Sequence, residues 1–103
     1  MINKFKKRQV EEIKQYIEDN SDLYNKLIIF GKSIDPNSTA DDDLEVAVSM
    51  ANPEDAEDDE AQMDLFCTID EITNGKFDLV IINSSENSNN IIGLVNKGEI
   101  IYG

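Results

Sequence analysis

The 103-residue chain, 40% hydrophobic, carries enough apolar material for one small core and reads as a single domain over residues 1–103, since a chain of this length buries only about 60–65% of its unfolded surface. Twenty-two acidic against nine basic residues give a net charge of −13, a field that repels bare nucleic acid and anionic membranes and favours metal cations, a basic protein partner or a metal-neutralised nucleotide. The lone Cys67 excludes an internal disulfide and a multi-cysteine zinc site, and the absence of histidine excludes imidazole ligands and Ser-His or Cys-His catalysis, so oxygen-ligand chemistry remains.

Val10, Ile13 and Ile17 recur at helical spacing among charged residues and predict an amphipathic helix over residues 5–19, stopped at Asn20-Ser21-Asp22. The basic stretch Lys4 to Arg8 reads as its exposed start. No apolar run nears the roughly 20 residues needed to span a bilayer, so a cytoplasmic protein is expected. Leu27-Ile28-Ile29-Phe30, closed by Gly31, predicts a buried strand, and residues 32–40 a loop. Leu44, Val46 and Val48 alternate with Glu45, Ala47 and Ser49 as a second strand.

Asn52-Pro53 predicts a helix start, with Asn52 as cap. The acids from Glu54 to Glu60 lie in its first turns, where they favour the positive end of the dipole and read as a solvated face. Leu65, Phe66, Ile69 and Ile72 supply the buried stripe of that same helix, Cys67 sits near it as a small hydrophobe, and Asn74-Gly75 ends it. Phe77 to Ile82 predicts a third strand, Ile91 to Val95 a short helix stopped by Gly98, and Ile100 to Tyr102 a last short strand. The expected fold class is α+β, a small mixed sheet with helices packed on one side.

Asp41-Asp42-Asp43-Leu44 opens the second strand, and the period of two aims Asp41 and Asp43 at one spot while Asp42 points away. Two close carboxylates repel each other unless a cation such as magnesium, which prefers hard oxygen ligands, neutralises them. Asp78 adds a third carboxylate if its strand lies alongside. Upstream, Phe30-Gly31-Lys32-Ser33 is a strand-to-loop turn in which glycine lets backbone amides approach a phosphate and Lys32 and Ser33 add donors.

Phe30-Gly31, Asp41, Asp43-Leu44 and Asp78 together resemble the minimal nucleotidyltransferase family of the polymerase-beta-like superfamily, over residues 10–102. Lys32 stands where that family has serine, Ala40 where it has another, the intervening loop is shorter, and its usual arginine is missing. The resemblance implies the polymerase-beta-like fold and magnesium-dependent transfer of a nucleoside monophosphate, typically AMP from ATP. It implies that Asp41, Asp43 and Asp78 are catalytic and hold metal, and that Gly31, Lys32 and Ser33 hold the triphosphate. Relatives of this size resemble antitoxins of toxin–antitoxin pairs that adenylylate a helical HEPN-type partner. A weakened member acting by binding alone, and an α+β interaction domain with structural carboxylates, are the other two readings.

Overall fold

The computed structural model describes residues 1–103. Helix α1 spans Lys7–Asp19, with Val10, Ile13 and Ile17 buried. It ends where the Asn20 side-chain amide donates to the Tyr16 carbonyl at 2.9 Å. Lys6, expected to be exposed with the rest of the basic start, is buried at 4% exposure. Its ammonium donates to the Ala40 carbonyl at 3.3 Å, so a partner for the charge permits the burial. Strand β1 runs Tyr24–Ile29, starting ahead of the apolar run because Tyr24 is itself fully buried. The Tyr24 and Tyr16 hydroxyls stand 3.2 Å apart. A 3-10 turn over Gly31–Ile34 follows, then strand β2 over Leu44–Met50.

The helix expected to begin at Asn52 is interrupted. Asn52 does cap, accepting from the Glu54 N–H at 3.1 Å. The turn it opens, Pro53–Glu57, is 3-10 and stops at Asp58, which is extended at φ −118° and ψ 109°. There the Asp58 carboxylate accepts from the Glu60 N–H at 3.0 Å. Aspartate side chains compete with helical hydrogen bonds, and like charges at helical spacing repel. Helix α2 therefore covers only Met63–Thr73 and buries Leu65, Ile69 and Thr73. Phe66, expected in the stripe, is 49% exposed and meets Phe77 edge-on at 5.0 Å. Cys67 is exposed too, because it lies two residues past Leu65, on the far side of the helix. Asn74 in the left-handed region, φ 54°, terminates α2.

Strand β3 (Phe77–Ile81), helix α3 (Asn89–Asn96) and strand β4 (Glu99–Tyr102) complete the α+β chain. The mixed sheet has the order β3-β2-β1-β4. β1 is antiparallel to β2 and β4, and β2 is parallel to β3 through the α2 crossover. Register places Ile29, Val46 and Leu79 in one row and Ile28, Ala47 and Val80 in the next, on opposite faces. α1 and α2 cover the first face, where Leu27, Ile29, Val46 and Val48 are fully buried. Each such side chain contributes about 1.5–3 kcal/mol relative to exposure. α3 departs from the expected one-sided arrangement: Ile91 and Val95 pack on Ile28, Phe30 and Ala47 of the second face. That face is also apolar in its middle and so needs a cover. No helix is long and apolar enough to cross a membrane.

Candidate functional site

Parallel pairing puts the starts of β2 and β3 at the same end of the sheet, with Glu45 opposite Asp78. The Leu44 N–H donates to the Lys76 carbonyl at 3.0 Å and fixes that alignment. Glu45 lies two residues before Ala47, so its face is the one that α3 covers farther along the strands. At this end a pocket of about 300 Å³ is lined by Lys32, Asp41, Asp42, Asp43, Glu45 and Asp78.

Of the residues singled out in the sequence, Asp41, Asp43, Asp78 and Lys32 thus meet in one place. Asp42 meets them, where the alternation argument had it pointing away. The reason is local: β2 begins only at Leu44, and residues 41–43 form a turn in which period two does not apply. That turn is closed by the Thr39 N–H donating to the Asp42 carboxylate at 2.8 Å and the Asp41 N–H donating to the Thr39 hydroxyl at 3.3 Å. Asp42 also lies 3.7 Å from the Lys32 ammonium. The Thr39 N–H, and after it the Lys32 and Lys6 charges, hold the Asp42 carboxyl below the ordinary aspartate range against a smaller desolvation cost.

Gly31 takes φ +60°, which only glycine adopts without strain. Ser33, expected to donate to a phosphate, is buried at 1% exposure, and its hydroxyl accepts from the Glu45 N–H at 2.8 Å. Its place is structural, since it ties the turn after β1 to the start of β2. The loop beyond it is held by the first residues of the chain. The Asn3 N–H donates to the Ser33 carbonyl at 2.8 Å, and the Asn3 side-chain amide donates to the carbonyls of Asp35 (2.8 Å) and Ser38 (3.2 Å). Lys6 adds its bond to Ala40.

Sequence reasoning missed Glu45, whose carboxylate accepts from the Lys32 N–H at 2.5 Å. The available signal was its place two residues after Asp43. Asn3 and Lys6 carried no signal, because their partners lie more than thirty positions away.

An all-oxygen donor set matches magnesium. No three acidic side chains stand together as a ready ligand set, consistent with exposed like charges keeping apart. Magnesium does not require such a cage: it keeps several waters and takes one or two protein carboxylates together with phosphate oxygens. Asp41, Asp43 and Asp78, all exposed and lining one pocket, are the candidate carboxylates for such an ion. Comparison with protein-family models, with curated proteins and with solved structures finds no match for this chain.

Proposed function

We propose that the chain is a magnesium-dependent nucleotidyltransferase of the polymerase-beta-like kind, acting in the cytoplasm as the antitoxin of a toxin–antitoxin pair. It transfers AMP from ATP to a hydroxyl of a helical HEPN-type partner protein. The observation that carries this reading is the single pocket lined by Lys32 from the turn after β1, Asp41 and Asp43 before β2, and Asp78 on β3. Asp43 and Asp78, with Asp41 beside them, are the residues to hold magnesium, which when bound neutralises charge on the triphosphate and the departing pyrophosphate. Lys32 is a point charge for the phosphates. Asp78 accepts the proton of the attacking hydroxyl as that oxygen bonds to the α-phosphorus and the bond to pyrophosphate breaks.

The test combines the protein, a HEPN-type partner encoded beside it, magnesium and labelled ATP. The partner should gain one AMP in mass, and Asp78→Asn should abolish that gain while leaving the complex intact. No gain with any common nucleoside triphosphate refutes the transferase. A second reading, neutralisation of the partner by binding alone, would then lead. It is favoured by one observation, the Glu45 carboxylate already seated on the Lys32 amide.

A further inference from the structure

We infer that Glu45 is a built-in plug of the nucleotide site: its carboxylate lies where the β/γ-phosphates of a triphosphate would sit and competes with them for the Gly31–Lys32 turn. This deepens the nucleotidyltransferase reading and rests on it for the identity of the ligand. The Lys32 N–H, the donor which that reading gives to a phosphate, is already spent on the Glu45 carboxylate. The same carboxylate lies against Gly31 so closely that a Cβ there would collide with both of its oxygens. Two backbone contacts of the strand hold Glu45 in this position: its N–H donates to the buried Ser33 hydroxyl at 2.8 Å, and its carbonyl accepts from the Phe30 N–H at 3.1 Å. The one cation lining the site, the Lys32 ammonium, already has a carboxylate neighbour, Asp42 at 3.7 Å. An incoming triphosphate therefore meets a turn already holding an anion, inside a pocket with four further carboxylates at Asp41, Asp42, Asp43 and Asp78. Exchanging one charge-assisted hydrogen bond for another yields little net affinity.

Glu45→Ala empties the turn and leaves both backbone contacts in place. Glu45→Gln, which keeps the shape and removes the charge, is the second variant should the alanine variant melt early. The probe is magnesium tripolyphosphate, followed by the chemical shift of the Lys32 amide. Saturable binding should tighten about tenfold or more in both variants relative to the unsubstituted protein, the size of one charged hydrogen bond. Equal affinity in all three proteins overturns the plug, and so does a Lys32 amide that responds in none of them. The transferase reading is scored separately. Variants that take up tripolyphosphate but neither bind ATP nor label a partner leave the plug standing and refute the transferase. Full labelling by the unsubstituted protein, with no gain in the variants, does the reverse.

Discussion

Replacing Ser33 by alanine tests whether the turn after β1 is held by its own hydrogen bonds or merely shaped to receive a ligand. Ser33 is 1% exposed, and its hydroxyl is the acceptor for the Glu45 N–H at 2.8 Å. The substitution removes one oxygen and leaves that N–H without its partner beside a half-buried strand start. Leaving a buried donor unpaired costs about 1–3 kcal/mol. For a domain of this size each kcal/mol lowers Tm by about 4–8 °C, so Ser33→Ala should melt roughly 5–20 °C lower with no nucleotide present. In urea the midpoint should fall with the slope unchanged, since the fold and its buried area are retained. Ser85→Ala is the control, because the Ser85 hydroxyl bonds Glu57 in an exposed setting; its effect should stay within about 0.5 kcal/mol. A Ser33→Ala protein as stable as that control would show that the hydroxyl does not support the turn.

The remaining predictions concern charge. Burial, then the hydrogen bond to Tyr16, pushes the Tyr24 phenol far above its ordinary value near 10. The unfolded chain then loses its proton first as pH rises, and stability present below about pH 10 is lost above it. Urea midpoints should therefore fall on the alkaline side, and Tyr24→Phe should flatten that fall; an unaltered alkaline slope would contradict the assignment. Asp42 has the opposite sign: its lowered carboxyl stabilises the fold above about pH 4, and this is lost as pH drops through the folded value. Lys32→Met should raise the Asp42 pKa only part of the way in a carbon-detected titration, because the Thr39 N–H is the larger cause; full restoration would reverse that ranking. Magnesium should raise Tm through the acidic pocket, and Asp43→Asn should both stabilise the metal-free protein and shrink the metal effect. An undiminished magnesium shift in Asp43→Asn would place the ion elsewhere.

What could be read in advance follows from the range of the forces involved. Helix α1 is legible because Val10, Ile13 and Ile17 recur at helical spacing, and strands β1 and β3 because each contains a short, nearly continuous apolar run. The end of α2 was legible because Asn74 must adopt φ 54° and is followed by Gly75. The break between the 3-10 turn and α2 was not, since acids at a helix start are favourable for one turn and disruptive when the run continues through Asp58 and Glu60. Alternation puts Asp41 and Asp43 at one spot and Asp42 away from it, yet all three line the pocket, because alternation governs extended backbone and β2 starts only at Leu44; Asp78 joins them through the pairing of β3 with β2. The burial of Ser33 is not legible, because it depends on contacts with Asn3 and Glu45, both distant in sequence.

The sheet order also keeps the acidic pocket independent of the sheet's outer edge at β4. β1 sits between β2, which follows it closely in the chain, and β4, which lies far downstream: Leu27 pairs with Val48 on one side and with Tyr102 on the other. The pocket draws only on the turn after β1 and the starts of β2 and β3, none of which needs β4. Pairing β4 with β1 closes the longest loop within the sheet and so carries its largest closure entropy. Detaching β4 would therefore bare a row of backbone donors and acceptors along β1, an edge open to another strand, while every residue that lines the acidic pocket keeps its own pairing.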